Sequence, residues 1–179
     1  VYRKAEIKRD LLQELKKAWD EVTDTHREVQ RKKVEEEATK VFLKLSNKRD
    51  EYKKLKISDT FQLQIINKKD MSDSGSPGQW ALVAYSILDA LTTCSGLEFP
   101  LVIDTPGRSM DAEHIIQTFE HLINGKKQVI IFPSSAEITP DVGDKKFSHR
   151  CAATYQISKN KKDGNIADIN VRKSNLRSN

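Results

Sequence analysis

Residues 101–111 read Leu-Val-Ile-Asp-Thr-Pro-Gly-Arg-Ser-Met-Asp: an apolar run ending in Asp104, a short loop, then a second carboxylate, Asp111. A carboxylate at the end of a buried strand suits Mg²⁺ or its water shell. That ion keeps most of its waters and takes one or two protein carboxylates beside substrate phosphates. Upstream, residues 74–79 read Ser-Gly-Ser-Pro-Gly-Gln and open an apolar segment. A glycine-containing turn at a helix start gathers backbone N–H groups and favours an anion. There Ser76 adds a hydroxyl, and Gly78 lets the backbone approach a ligand. Downstream, Val129-Ile130-Ile131-Phe132-Pro133 leads into Ser134 and Ser135, whose hydroxyls are placed to touch a terminal phosphate. The first two segments together read as part of a nucleotide site; the third, by itself, reads more simply as a strand and the loop after it. A Gly-Lys-Ser/Thr phosphate loop is nowhere in the 179 residues.

Other chemistries fit less well. Cys94 and Cys151 lie far apart with no metal-ligand or disulfide spacing. His114 and His121 stand two helical turns apart, roughly 10 Å, too far to share one ion. No Gly-x-Ser-x-Gly elbow is present. Residues 104–107 match the DxxG pattern of GTPases and residues 67–70 match NKxD, but the order is reversed and no phosphate loop lies between them. Residues 67–70 are therefore read as a turn after a strand.

The elements that must position these groups follow from periodicity. Residues 1–56 contain neither Gly nor Pro. Leu15, Ala18, Val22, Thr25 and Val29 keep heptad spacing, as do Val34, Ala38, Val41, Leu45, Lys48, Tyr52 and Leu55 after a phase slip. The pattern predicts one long coiled-coil helix over residues 1–56 and a globular lobe over 57–179. Residues 1–56 carry 17 Lys+Arg against 12 Asp+Glu, which accounts for the whole net charge of +5. Because the signs are interspersed, a solvated helix surface is the simpler reading than a nucleic-acid patch. Strands are predicted at residues 56–58, 61–66, 101–104, 128–132, 152–158 and 166–171, with residues 159–165 as the last turn. Helices are predicted from Trp80 to a stop at Gly96, with Val83, Ala84, Ile87, Leu88 and Leu91 as its apolar face, and over 111–123, with Ile115, Ile116, Phe119 and Leu122 inward. Helix, strand, helix, strand implies an α/β fold with a mainly parallel sheet, whose ligands bind at the carboxyl ends of the strands. No stretch is apolar enough to span a membrane and there is no signal-peptide core, so a cytoplasmic setting is expected. The opening Val1-Tyr2-Arg3-Lys4 reads as the middle of a helix, so the chain is expected to be a piece of something longer.

In this order the motifs resemble the C-terminal lobe of an ABC-type P-loop ATPase head of the SMC class, which includes SbcC-type repair ATPases. Residues 75–79 are similar to the LSGGQ signature, matching at Ser76, Gly78 and Gln79 and departing at Gly75 and Pro77. Residues 101–104 resemble Walker B, Ser109-Met110-Asp111 resembles the D-loop, and Ser134-Ser135 stands at the switch position where many members have His. Asp104-Thr105-Pro106, Cys94-Ser95-Gly96 and residues 134–138 resemble the DndD-like ATPases of bacterial DNA sulfur modification and anti-phage defence.

The resemblance implies ATP and Mg²⁺ as cofactors, with Asp104 holding the Mg²⁺ shell. Ser76, Gly78 and Gln79 would contact ATP bound to a second head, and Asp111 would lie at the seam of the homodimer. It also implies a phosphate loop on an N-terminal lobe absent here, DNA and further system subunits as partners, no membrane, and a nucleoid-associated location. Residues 1–179 alone are then expected to be inactive. Most ABC ATPases place Glu directly after the Walker B aspartate; here that position is Thr105, which cannot act as a carboxylate base. Slow hydrolysis, a substitute base such as Glu137, or partner-dependent activation is expected. Two other classes stay open: a nucleotide-gated interaction module with little hydrolysis, and a structural coiled-coil protein.

Overall fold

The computed structural model describes residues 2–97, 100–105, 107, 109–125, 128–139, 143, 145–147, 149–159 and 167–174. The chain forms an α/β fold of two compact units, Val1–Leu97 and Glu98–Asn179. The division falls at residues 97 and 98, whereas the periodicity placed it at 56.

The first unit begins with α1 (Tyr2–Leu45). At 1.5 Å per residue this helix is about 66 Å long. Residues 2–27 are exposed throughout, and Leu15, Val22 and Val29 of the predicted seam stand open to solvent. The C-terminal third is different: Ala38, Phe42 and Leu45 are buried, and α1 packs against α2 (Pro77–Ser95) and β1 (Tyr52–Ile57). Each large apolar side chain so buried contributes roughly 1.5–3 kcal/mol.

The helix does not run to residue 56. Arg49 reaches back to the carbonyls of Lys44 and Ser46, satisfying groups that a longer helix would have bonded internally. Tyr52 and Leu55, which continued the heptad spacing, are instead strand residues facing the core. Their three-residue interval survives because the pairing of β1 with β2 (Leu63–Asn67) is irregular between Tyr52 and Lys54. The short β3 (Ser72–Asp73) completes the antiparallel order β1-β2-β3. Polar clasps join α1 to this sheet. Arg31 donates to the Ile57 carbonyl, and Glu35 accepts the Ile57 N–H at 2.6 Å. Thr39 Oγ1 accepts the Leu55 N–H at 3.1 Å.

In α2 the buried face is Leu82, Val83, Ser86 and Ala90, while Ala84, Leu88 and Leu91 of the predicted face are exposed. The helix is apolar all round, the mark of an element that needs cover on more than one side. Gly96 ends it at φ +65, as the sequence indicated.

The second unit holds β4 (Leu101–Asp104), α3 (Ala112–Asn124), β5 (Val129–Phe132), β6 (Ala153–Lys159) and β7 (Ala167–Ser174). β4 and β5 pair in parallel, with Asp104 opposite Phe132, and β6 and β7 form an antiparallel pair. The parallel pair carries the expected order, but among the described residues the antiparallel strands outnumber it. The predicted turn at residues 159–165 lies, beyond Lys159, outside the described residues. The core gathers Ile115 and Phe119 of α3 with Ile138 and Phe147, and Ile131 of β5 packs against them. The rings of Phe119 and Phe147 lie 5.7 Å apart. Val102, Ile130 and Phe132 alternate onto the other face of the parallel pair and are exposed.

Candidate functional site

In the first unit, Ser76 sits in extended conformation at the N-cap of α2 and makes a capping box with Gln79. Ser76 Oγ accepts the Gln79 N–H at 3.3 Å, and the Gln79 side-chain carbonyl accepts the Ser76 N–H. Pro77 at N1 has no N–H to lose, and Gly78 at N2 has an N–H with no acceptor inside the helix. The arrangement is an exposed helix start carrying a hydroxyl and a partial positive charge.

The loop before it is tightly set. Gly75 has φ +64, its N–H donates to Asp73 Oδ1 at 2.8 Å, and a Cβ there would lie 2.9 Å from both Ile65 Cδ1 and Trp80 Nε1. The Trp80 indole donates to the Ser74 carbonyl at 2.8 Å. From the sheet, the hydroxyl of Tyr52 accepts from the side-chain amide of Gln79. Tyr52 is buried, its ring rests on Phe42 of α1 at 5.4 Å, and burial pushes its hydroxyl pKa up, with the Asp73 charge adding to that. Sequence reasoning placed Tyr52 on a helix seam and so missed this partner; the Ser-x-x-Gln spacing of the capping box was readable.

In the second unit, Asp104 ends β4 exposed. Thr105 follows at φ +43, an uncommon conformation for a β-branched residue, and its N–H donates to the Phe132 carbonyl at 3.0 Å. Pro106 and Arg108 lie outside the described residues. Gly107 is buried so closely that a Cβ would come within 2.6 Å of the Ile115 side chain. Beyond β5, Glu137 faces this loop. One carboxylate oxygen accepts the Gly107 N–H, and the other accepts the Ser134 N–H at 2.8 Å and the Ser134 hydroxyl at 2.9 Å. Ser135 is exposed.

Asp111 caps α3: Oδ1 accepts the His114 N–H at 2.9 Å, and Oδ2 lies 2.8 Å from His114 Nδ1. The His114 backbone N–H, then its ring, hold the Asp111 carboxyl below the usual range. His114 is thus half-buried and partnered rather than a free surface histidine. Residues 67–70 form the expected turn, with Asn67 Oδ1 accepting the N–H groups of Lys69 and Met71.

The structure therefore brings Thr105, Gly107, Ser134 and Glu137 together. It places Asp104 and Asp111 on the flanking strand and helix, and gathers Ser76, Gly78 and Gln79 around one helix start in the first unit. Among the described residues no three acidic, His or Cys side chains converge on a metal-sized site. A single exposed carboxylate such as Asp104 fits an ion whose remaining ligands are waters and phosphate oxygens.

No protein-family model matches the chain, and no curated protein matches it. Solved structures do. An SMC ATPase studied for ATP-driven dimerization and DNA-stimulated activation aligns over 83% of this chain and 88% of its own, with TM-score 0.61 and 14% identity. The Smc head domain of Pyrococcus furiosus, with an extended coiled coil and bound to the C-terminal domain of ScpA, aligns over 78% of this chain and 34% of its own, with TM-score 0.56 and 12% identity. The Smc head of Pyrococcus yayanosii, with a coiled coil and joint, gives 78% and 26%, TM-score 0.57 and 14% identity. The fold is that of the C-terminal part of an SMC head with its coiled-coil helix.

Proposed function

We propose that this chain is the C-terminal, signature-bearing part of an SMC-like, DNA-associated ATPase in which ATP draws two heads together and hydrolysis releases them. The observation that carries this reading is the start of α2. Ser76 and the Gly78 N–H stand at an exposed, positively polarised helix end that has no need of them for its own stability beyond one cap. In the proposed complex Ser76, Gly78 and Gln79 contact the γ-phosphate of ATP held by the opposite head. Asp104 holds the hydration shell of Mg²⁺, which when bound neutralises charge on the phosphates. Asp111 lies at the seam, and Thr105, Ser134 and Ser135 border the terminal phosphate. The two-sided apolar character of α2 and the exposed apolar face of β4 and β5 support a missing lobe of the same head, which would bring the phosphate loop. Residues 1–179 alone are then expected to turn over no ATP.

DNA, a second copy of the head and additional subunits are the proposed partners, in a cytoplasmic, nucleoid-associated setting. No helix among the described residues is long and apolar enough to cross a membrane. The narrower role, in DndD-like anti-phage defence, DNA sulfur modification or DNA repair, is inferred from residues 104–106 and 134–138 of the sequence. Thr105 favours slow turnover or a nucleotide-gated module, since neither its hydroxyl nor its strained backbone supplies a carboxylate to the attacking water.

The test is ATP-dependent association of the native polypeptide, followed by light scattering beside ATP binding and turnover. Ser76→Arg is expected to abolish association while leaving ATP affinity intact, and Thr105→Glu to raise turnover. Association that ignores ATP would favour the structural coiled-coil class.

A further inference from the structure

We infer that Glu137 is a positioning residue that locks the loop after Asp104 to the switch serine, and not the base that its charge and location suggest. The inference rests on the ATPase reading of the site. Of the four lone-pair positions of the carboxylate, three are engaged: one by Gly107 N–H and two by Ser134, through its N–H and its hydroxyl. A proton taken from water would remove the charge that strengthens all three bonds.

The bond to the Ser134 N–H alone would be an ordinary capping interaction at Ser-x-x-Glu spacing. The bond to Gly107 is not explained by capping, because it crosses thirty residues of sequence to the other strand end. The described residues of the loop it holds have further anchors. Thr105 N–H is bonded to Phe132 O at the end of β5, the Gly107 carbonyl accepts the Met110 N–H at 2.9 Å, and Gly107 is pressed against Ile115 with no room for a Cβ. Thr105 at φ +43 is held in a conformation its side chain disfavours, which persists only where the surroundings over-determine it. Glu137 supplies that constraint from the β5 side. It ties the loop that follows Asp104 to the backbone and hydroxyl of Ser134, and so sets the two strand ends relative to one another.

The experiment compares Glu137→Gln and Glu137→Ala with wild type in the native polypeptide, measuring ATP Kd, kcat and KM together with amide hydrogen exchange at Thr105, Gly107 and Ser134. Gln keeps a carbonyl acceptor for Gly107 but cannot take a proton. Glu137→Ala is expected to lower kcat by about 10²-fold, the scale of a misplaced catalytic group, with little change in Kd. Glu137→Gln is expected to recover part of that loss, since its amide NH2 stands where an oxygen accepted both Ser134 bonds, and exchange at Gly107 to be slow in wild type, intermediate in Gln and fast in Ala. Gln as inactive as Ala, while Gly107 stays protected, would mean that Glu137 is the base and would overturn the inference. So would unchanged kcat in both variants. If wild type itself neither binds nor turns over ATP, the ATPase reading falls. Gly107 exchange then decides the lock on its own: equal rates in wild type and Ala would overturn it.

Discussion

Asp111 grips His114 at two points, with one carboxylate oxygen on the backbone N–H at 2.9 Å and the other 2.8 Å from the ring Nδ1. The residue read from sequence as a D-loop is thus also the N-cap of α3, the helix whose Ile115 and Phe119 build the core of the second unit.

A pH dependence follows. The His114 N–H and ring lower the Asp111 carboxyl pKa in the folded chain. A depressed carboxylate contributes stability above its unfolded pKa, roughly 3.9, and that contribution is lost as pH falls through the lower folded value. Asp111→Ala is expected to cost about 1 kcal/mol at neutral pH, the usual worth of an N-cap. Asp111→Asn should cost less, since it keeps an acceptor for the His114 N–H. Urea unfolding followed across the acid range checks both. The gap between wild type and Ala should hold down to about pH 4 and narrow below it; a gap unchanged at the acid end would contradict a contribution from the charge.

Gly75 and Gly96 share nearly the same backbone angle, φ +64 and +65, but not the same surroundings. A Cβ at Gly96 meets nothing within 4 Å, whereas at Gly75 it meets Ile65 and Trp80 at 2.9 Å. Gly96→Ala should therefore cost only the left-handed penalty, roughly 1–2 kcal/mol. Gly75→Ala should cost more, because the side chains that frame the start of α2 must shift as well. Thermal unfolding of the two variants side by side makes the comparison, and equal losses would mean that the close approach is relieved freely.

Much of this was legible in the sequence, and the failures have identifiable causes. β4, α3, β5 and the α2 stop at Gly96 were readable because buried apolar runs and a glycine left-handed cap are local signals. The end of α1 was not. Leu45, Lys48, Tyr52 and Leu55 keep a helical interval across a chain that turns at residues 46–51, and the stop is made by Arg49, a residue that also suits a helix interior. The buried face of α2 was misread because the helix is apolar on every side and periodicity then selects no face. Ser76 and Gln79 were singled out by type and spacing, and the structure joins them in a helix cap. The contacts of Tyr52 with Gln79 and of Glu137 with Gly107 are long-range, and nothing local announces them.

Tyr52 offers the sharpest separation of packing from positioning in the first unit. Its ring is buried against Phe42 of α1, and its hydroxyl receives the side-chain amide of Gln79. Tyr52→Phe keeps the ring contact and removes only the oxygen, leaving the half-buried Gln79 amide without that acceptor. The expected loss of stability is about 1 kcal/mol, the net worth of one such bond. Gln79 then reaches Ser76 with one anchor fewer, so the start of α2 should loosen while α1 stays packed. Amide hydrogen exchange distinguishes the two: the Ser76 and Gln79 amides should exchange faster in Tyr52→Phe, and residues 38–45 should not. Faster exchange in both segments would show that the hydroxyl supports the packing of α1 rather than the cap. On the proposed function, the same variant should weaken ATP-driven association without altering ATP binding, because the helix start meets the nucleotide only across the seam.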